Sequence, residues 1–347
     1  MQAEDFKKYS SDFEKKLEHL VIKDVSTALY CRKYLTHLLQ HKKYYLAIYA
    51  DVLQKLTGYL PANKTNISLV DYGAGNGLLG IFAKFCGFKK VFINDLDAKF
   101  VQASQNLACQ LNIEMDGYIT GDITAVQAYF NNEAPDAIAG TDVIEHIYNL
   151  EDFFTCIQQI NQSMVTVFTT ASNPKNFLKV RTLKKLQIKD ELQGGTQDDH
   201  LLFGETAMQP FLILREQIIR RQTNSLAESE VKVLAHITRG KNEHDIINSV
   251  KQYCLTGELP ASPTDKTNTC DPFSGSWTER ILSLKTYSML YKSAGFKPVF
   301  YNGFYNTYEP GLKKYLKKIL NVTIAIAGNL VSPYIIIVGK DKKRDNF

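Results

Sequence analysis

The chain has 347 residues, of which 44% are hydrophobic and 22% charged, and its net charge at neutral pH is +5. This composition excludes a disordered or collagen-like chain, and the length is sufficient for one large domain or two modest ones. Charges of both signs are spread along the sequence, so the basic bias is mild. The late lysines Lys313, Lys314, Lys317 and Lys318 are interpreted as a solvated helix face, in preference to a phosphate- or lipid-binding patch.

The six cysteines include neither a Cys-x-x-Cys pair nor the spacing of a zinc site, so we predict no metal and a reducing compartment. The first residues lack the apolar stretch of a signal peptide, which favours a cytoplasmic protein. The later segment 319–339 is largely apolar, but Asn321, Gly328 and Pro333 interrupt it. It is predicted to be a helix end, a turn and a buried strand over 334–338, and no membrane span is expected.

From residue 4 to residue 60, apolar side chains recur at helical spacing. The strongest pattern runs from Tyr44 and Tyr45 to Leu56, and Gly58 and Pro61 end it. Residues 1–62 are therefore predicted to form a helical region ahead of the main domain.

Residues 67–82 predict a strand, a tight turn and a helix. An apolar run ends at Asp71, Gly73, Gly75 and Gly77 follow, and a helical pattern begins at Leu78. Such glycines allow positive φ and close approach of a ligand, and the helix N-terminus offers unpaired N–H groups. A dinucleotide fingerprint would need a glycine in place of Leu78. The spacing Asp-x-Gly-x-Gly-x-Gly instead resembles motif I of class I S-adenosylmethionine-dependent methyltransferases.

The next strands also end in residues that fit this family. The second, 91–93, leads to Asp95 and Leu96, and an acidic side chain at this point of a doubly wound sheet reaches a ribose diol. The third, 118–120, leads to Asp122 and Ile123. The resemblance implies that Asp122 binds the adenine amino group and that Ile123 forms a wall of the adenine slot.

The fourth strand, 136–140, runs into Asp142-Val143-Ile144-Glu145-His146. This segment resembles the one found in small-molecule methyltransferases such as the quinone-biosynthesis O-methyltransferases. The resemblance implies S-adenosylmethionine as the cofactor and adds Leu96 and Asp142 to its binding residues. Asp71 is expected to hold the turn and approach the amino group of the cofactor, and the three glycines to give room beside its amino-acid moiety.

In the resembled family, helices ahead of motif I cover the cofactor and shape the acceptor pocket. Tyr44 and Tyr45 are therefore candidates to bind the acceptor, although an aromatic stripe at helical spacing also fits an ordinary core.

Strand and helix patterns alternate up to residue 171, with helices over 98–111 and 151–160, the second capped by Asn149, and a fifth strand over 164–169. This alternation predicts an α/β fold with a doubly wound, mostly parallel sheet. A sixth strand is predicted over 296–301. In the family the seventh strand is antiparallel and lies between the fifth and the sixth.

The predicted methyltransferase core comprises residues 63–171 and 277–341. Residues 172–276 carry helical patterns without strand alternation and are interpreted as a substrate cap inserted into that core. The run Ser276-Trp277-Thr278-Glu279 has the form of a capping box and predicts a helix over 277–293.

Methyl transfer to oxygen needs a base, and histidine suits this role near neutral pH. His146 follows the fourth strand, where the crevice opens. His200 lies in a polar loop beside Asp198 and Asp199, whose carboxylates would orient its ring or hold a divalent metal with it. Glu145, next to His146, is a candidate substrate-binding residue as a pocket acid. In the simpler alternatives, His146 caps the next segment, Glu145 is a structural acceptor, and the Asp-Asp-His run is a solvated loop.

We therefore expect a methyltransferase acting on a small or medium-sized metabolite, at oxygen in preference to nitrogen or carbon. A nucleic-acid amino-methyltransferase is disfavoured because Thr141-Asp142-Val143-Ile144 differs from the Asn/Asp-Pro-Pro-Tyr of that class. The alternative from another class is a cofactor-binding but catalytically silent scaffold that uses the insertion to bind a partner protein. The sequence leaves the acceptor and the oligomeric state open.

Overall fold

The computed structural model describes residues 3–61, 66–131, 133–195 and 209–341. The chain divides into two compact units. The first, called the core unit below, comprises Met1–Ile144, Asn149–Asn176 and Ser283–Phe347, and the second, the insertion unit, comprises Glu145–Tyr148 and Phe177–Leu282. The short segment Glu145–Tyr148 thus belongs with the insertion, whereas the sequence pattern assigns it to the core.

Three helices begin the core unit: α1 (Ala3–Leu17), α2 (Leu29–Gln40) and α3 (Lys42–Tyr59). Strands and helices then alternate: β1 (Ser68–Tyr72), α4 (Leu78–Phe85), β2 (Lys90–Asp95), α5 (Ala98–Gln110), β3 (Gly117–Thr120), α6 (Ile123–Tyr129), β4 (Ala137–Thr141), α7 (Leu150–Ile160) and β5 (Val165–Thr170). Asn149 caps α7 as predicted, because its side chain accepts hydrogen bonds from the Glu151 and Asp152 N–H groups at 3.0 and 3.2 Å.

The insertion unit contributes α8 (Phe177–Leu192), α9 (Phe211–Gln222), α10 (Glu228–Ile237) and α11 (Glu243–Thr256). The core unit then resumes with α12 (Leu284–Ser293), β6 (Phe296–Asn302), α13 (Leu312–Ala327) and β7 (Ile335–Asp341). None of the helices formed by the described residues is long and apolar enough to cross a membrane.

The seven strands form one sheet in the order β3-β2-β1-β4-β5-β7-β6. Strands β1 to β5 pair in parallel, and β7 is antiparallel to both β5 and β6. The predicted fold is confirmed, including the antiparallel seventh strand between the fifth and the sixth. The chain reverses its direction across the sheet between β1 and β4, and a ligand crevice is expected at the carboxyl ends of these two strands.

One predicted helix starts later than its sequence motif indicates. Residues 277–281 are not helical, and α12 begins at Leu284 with Ser283 as its N-cap, whose hydroxyl accepts the Thr286 N–H at 3.0 Å. Trp277 explains the difference, because its indole N–H donates to the Tyr148 carbonyl at 3.1 Å and the Arg280 guanidinium lies 4.1 Å from its ring centre. These contacts hold the segment in the insertion unit, so the first capping box is not used.

The insertion unit has its own apolar core between α9, α10 and α11, formed by Ile218, Ile219, Val231, Leu234, Ala235, Ile246 and Val250. It also buries a complete ion pair. Arg215 is fully buried, donates from Nη1 to Glu191 Oε2 at 3.2 Å, and donates from Nε to the Ala235 carbonyl at 2.8 Å. Thr269 adds a hydroxyl bond to Glu191 Oε2 at 2.7 Å, so both charged groups have several partners.

Replacing Arg215 by alanine should lower the free energy of unfolding by about 3–5 kcal/mol, because the substitution leaves the Glu191 carboxylate buried without its counter-charge. Urea unfolding followed by circular dichroism measures the loss. Arg221→Ala, an exposed change on the same helix, is the matched control. A loss for Arg215→Ala no larger than that of the control would show that the pair does not stabilise the insertion unit.

Candidate functional site

The turn after β1 has a backbone that only glycine adopts readily. Gly73, Gly75 and Gly77 have φ of 61°, 55° and 75°. A Cβ atom at Gly77 would lie 2.8 Å from both Ile93 Cδ1 and Ser104 Oγ. The Gly77 N–H closes the turn on the Ala74 carbonyl at 2.8 Å, and α4 begins at the next residue. The turn is therefore both left-handed and too tightly packed for side chains.

Two buried carboxylates hold this turn. Asp71 Oδ2 accepts the Gly80 N–H at 2.7 Å and fixes the first turns of α4 to β1. Asp95, at the end of β2, accepts the Gly75 N–H on Oδ2 at 2.8 Å and the Asp97 N–H on Oδ1 at 2.9 Å. The Leu96 N–H also favours the ionised form of this carboxylate, whose two oxygens together have acceptor capacity beyond these three N–H groups.

Burial changes the acidity of both groups. It raises the pKa of Asp71 to about 7, against the opposing effect of the Gly80 N–H and with a contribution from the charge of Asp95. It also raises the pKa of Asp95 to about 6, although the Asp97 and Gly75 N–H groups favour the ionised form. A cation bound beside the turn would therefore favour ionisation of both carboxyls.

The end of β3 presents the predicted adenine-binding residues. Asp122 is exposed and caps α6, where its Oδ1 accepts the Thr124 N–H at 2.9 Å and the Thr124 hydroxyl at 2.6 Å. Ile123 next to it is buried. Leu96, which follows Asp95, is 67% exposed, a large fraction for an aliphatic side chain beside a buried carboxylate. A carboxylate and apolar surface thus follow neighbouring strands at the same edge of the sheet.

Asp142 has an unusual backbone. Its φ is 51°, although it carries a side chain, and its N–H lies 3.2 Å from the carbonyl and 3.1 Å from the hydroxyl of Thr169 on β5. Positive φ is uncommon outside glycine, and such residues concentrate at functional sites. The residue follows β4 at the point where the order of strands reverses, so its conformation marks the predicted crevice.

The predicted acceptor residues on α3 lie close enough to this carboxylate to be affected by its charge. Burial raises the pKa of Tyr45 to about 12, and the negative charge of Asp142 adds to the shift. The same two causes, in the same order, raise the pKa of Tyr44. The Tyr44 hydroxyl donates to the Phe304 carbonyl at 3.0 Å, and the Tyr45 hydroxyl lies 3.1 Å from His37 Nε2. The structure therefore brings Tyr44, Tyr45 and Asp142 to one side of the core unit.

Sequence reasoning missed Tyr34, which lies against the glycine turn. Its Cε1 would be 2.8 Å from a Cβ atom at Gly75, yet the side chain remains 37% exposed. Its ring packs edge-on against Phe100 with centroids 5.7 Å apart, and Asn76 of the turn donates to the Cys31 carbonyl of the same helix at 3.1 Å. The spacing of Tyr30 and Tyr34 by one helical turn was the available signal, since it places both rings on one face of α2.

The predicted base His146 lies in the insertion unit. Its Nδ1 is 2.8 Å from the Trp277 carbonyl, and its own carbonyl accepts the Trp277 N–H at 3.1 Å. A carbonyl only accepts hydrogen bonds, so Nδ1 must carry a proton, and Nε2 of the neutral ring then has the free lone pair. Glu145 is buried, and its carbonyl accepts the Arg280 N–H at 3.1 Å.

His200, with Asp198 and Asp199, lies outside the described residues. Within the ranges that the structure describes, no group of three or more histidine, cysteine, aspartate or glutamate side chains could hold a metal ion.

The strand order, the antiparallel seventh strand and the glycine turn between β1 and α4 together decide the fold. The chain has the fold of the class I S-adenosylmethionine-dependent methyltransferases. This conclusion rests on the architecture of the chain, since no protein-family model and no curated protein sequence matches it.

Solved structures with a similar fold are distant from this methyltransferase-fold chain. The CurJ carbon methyltransferase is 13% identical, covers 85% of this chain and 53% of its own, and has a TM-score of 0.39. A protein of Listeria monocytogenes assigned to the S-adenosylmethionine-dependent methyltransferases is 13% identical over 84% of this chain and 99% of its own, with a TM-score of 0.40.

A chain from the Haloferax volcanii complex between the Trm112 methyltransferase activator and a methyltransferase is 10% identical over 85% of this chain and 90% of its own, with a TM-score of 0.41. The present chain thus spans about half the length of the CurJ protein and most of the length of the other two. Likenesses of this size carry no argument about substrate or partner.

The raised pKa of Asp71 predicts a stability that depends on pH. Because the folded value of about 7 exceeds the ordinary value of 3.8, the native state binds more protons than the unfolded chain between these limits. The free energy of unfolding should therefore fall as pH rises from about 4 to about 7, by on the order of 3 kcal/mol from this group. Urea titrations without cofactor across this range measure the fall.

In Asp71→Asn the side chain keeps an acceptor for the Gly80 N–H but cannot ionise, so the part of the fall that Asp71 contributes should disappear. The fall that comes from Asp95, whose pKa is raised to about 6, should remain and end at lower pH. Glu114→Gln, which changes an exposed carboxylate before β3, should retain the full fall. Equal pH profiles for the Asp71 variant and the unmodified chain would contradict the assignment.

Proposed function

We propose that the protein is an S-adenosylmethionine-dependent methyltransferase that methylates a small or medium-sized metabolite, at oxygen, by in-line displacement. The observation that carries the proposal is the bond between the Gly75 N–H and Asp95 Oδ2 at 2.8 Å. It joins a left-handed glycine turn to the carboxylate after the second strand, and these are the two features needed to receive an amino-acid moiety and a ribose diol.

The residues at this edge of the sheet fit the cofactor. Asp95 has acceptor capacity left for the ribose diol, and the exposed carboxylate of Asp122 suits the adenine amino group. Leu96 and Ile123 supply apolar surface for the adenine ring. Asp71 is too deeply buried to contact the cofactor over a large area. Its proposed role is to hold the turn and to contribute negative charge toward the cofactor's amino group.

When bound, the cofactor would supply a methyl group on a positively charged sulfur: the acceptor oxygen would bond to the methyl carbon as the methyl–sulfur bond breaks, and the neutral thioether, S-adenosylhomocysteine, would be the leaving group. The main task of the chain is then to hold the acceptor atom in line and to exclude water. Orientation of this kind contributes on the order of 7–11 kcal/mol to lowering a barrier. Tyr44 and Tyr45 are the proposed acceptor-binding residues, with Glu145 as a pocket acid. Asp142, whose negative charge acts on both tyrosines, is a proposed cofactor-binding residue.

His146 is the proposed general base. A hydroxyl acceptor has to lose its proton as the new bond forms, and a neutral imidazole is suited to take it. The bond from Nδ1 to the Trp277 carbonyl fixes the ring and leaves Nε2 as the basic atom. Glu145 next to it adds a buried acid to the same short segment. His200 remains a second candidate from the sequence alone.

The cofactor assignment predicts that Asp95→Ala weakens binding of S-adenosylmethionine and S-adenosylhomocysteine by about 1–3 kcal/mol, the usual effect of removing a buried charged hydrogen-bond partner. Calorimetric titration of both nucleotides, with NAD as a negative control, measures this. Glu114→Gln serves as the carboxylate control, since Glu114 precedes β3 at the opposite edge of the sheet. Unchanged affinity in Asp95→Ala would refute the assignment.

If His146 is the base, His146→Asn should lower the rate of methyl transfer by about 10²–10⁴-fold while the affinity for S-adenosylhomocysteine stays the same. Production of S-adenosylhomocysteine with an acceptor found by screening hydroxylated metabolites gives the rate. His236→Asn, an exposed histidine on α10, is the control. Cofactor binding without transfer to any acceptor would favour the silent scaffold instead.

A further inference from the structure

Helix α13 exposes most of its apolar side chains. Six of them, Leu312, Tyr315, Leu316, Ile319, Val322 and Ile326, are each 58–88% exposed. Their spacing of three and four residues places them on one face that covers roughly a third of the helix circumference. We call this face the α13 stripe. Single exposed apolar residues are ordinary, but a continuous stripe of this kind marks an interaction surface.

The opposite face of α13 fixes the helix to the core unit. Ile324 is buried, and Asn321 makes two hydrogen bonds with the backbone of Tyr305, accepting its N–H at 2.7 Å and donating to its carbonyl at 3.1 Å. Lys317 pairs with Glu309 at 2.6 Å. Turning the stripe toward the protein would break all of these contacts, so it faces outward as a settled feature of the fold.

The charged residues of α13 itself are all positive. The helix contains four lysines and no aspartate or glutamate. Lys313 and Lys318 are exposed and, by helical geometry, border the stripe on its two sides. Lysine at such a border buries its aliphatic stem beside the apolar face and extends its ammonium group outward. An apolar face edged by lysines is the pattern of a helix lying in the interface of a membrane.

A second copy of the chain fits this surface less well. Two stripes packed together would bring lysines against lysines or against the apolar half of the partner helix, because α13 itself offers no carboxylate to pair with them. A bilayer that contains anionic lipids satisfies both parts at once, since its acyl region receives the apolar residues and its headgroups receive the ammonium groups.

We propose that α13 docks this protein on an anionic membrane surface, with the stripe at the boundary of headgroups and acyl chains. Docking of this kind needs no spanning helix. Under this proposal the lysines of α13 contact lipid headgroups, whereas the sequence alone favours a solvated helix face. The helix is also joined to the loop beside the predicted acceptor residues, because Asn321 holds Tyr305 and the Tyr44 hydroxyl donates to the neighbouring Phe304 carbonyl.

Vesicle co-sedimentation of the full chain tests the proposal, with phosphatidylcholine vesicles compared with vesicles in which phosphatidylserine replaces part of the phosphatidylcholine. The unmodified protein should bind the anionic vesicles, and salt should weaken the binding. Lys313→Gln with Lys318→Gln should weaken it about 30-fold, since each basic residue at such a surface is worth a factor of about five. Leu316→Gln with Ile319→Gln should remove the binding to anionic vesicles and any weaker binding to phosphatidylcholine vesicles.

The matched controls are equally exposed residues on other helices, namely Leu178→Gln with Leu255→Gln for the apolar pair and Lys251→Gln with Lys285→Gln for the charged pair. They should bind like the unmodified protein. No binding to anionic vesicles, or equal losses in the control and stripe variants, overturns the proposal. A dimer in sedimentation velocity that Leu316→Gln with Ile319→Gln dissociates, without vesicle binding, would identify a second copy as the occupant instead.

Discussion

The hydrogen bond between the Gly75 N–H and Asp95 fixes the position of the glycine turn, and the surrounding elements depend on that position. Ser104 of α5 donates to the Gly75 carbonyl at 3.0 Å, and Asn76 donates to the Cys31 carbonyl of α2 at 3.1 Å. Tyr34 rests against Gly75. A side chain at the turn would separate these elements, so the left-handed backbone positions α2 and β2 together.

This arrangement concentrates negative charge in a place where charge is unfavourable. Asp71 and Asp95 are both buried, and burial disfavours the ionised form of each. The charge of Asp95 adds to this effect on Asp71. Backbone N–H groups offset part of the cost but not all of it, as the raised pKa values indicate. The unfavourable energy is reduced when a cationic ligand lies at the turn, which is the physical link between the stability of the core unit and its proposed cofactor.

The sequence predicted the sheet well because its central strands β1, β2, β4 and β5 are buried on both faces and are therefore encoded as short apolar runs that stop at polar residues. Asp71, Asp95 and Asp142 each follow such a run. Features set by distant contacts were not predictable. Trp277 draws its segment away from a helix through contacts with Tyr148, and the exposure of α13 depends on which of its faces Asn321 attaches to the core. The local sequence pattern predicts an amphipathic helix, but it does not predict whether the apolar face of that helix packs against the core or is exposed.

The division into two units separates the proposed tasks of the protein. The turn, its carboxylates and the tyrosines of α2 and α3 all belong to the core unit, whereas His146 belongs to the insertion unit, which has its own core and buried ion pair. The proposed cofactor-binding residues on the strands thus all lie in the core unit, and the proposed base lies in the insertion unit. The loop after β6 belongs to the core unit. This loop contacts Tyr44 and is held by Asn321 of α13, so it joins the proposed acceptor residues to the helix proposed to dock on a membrane.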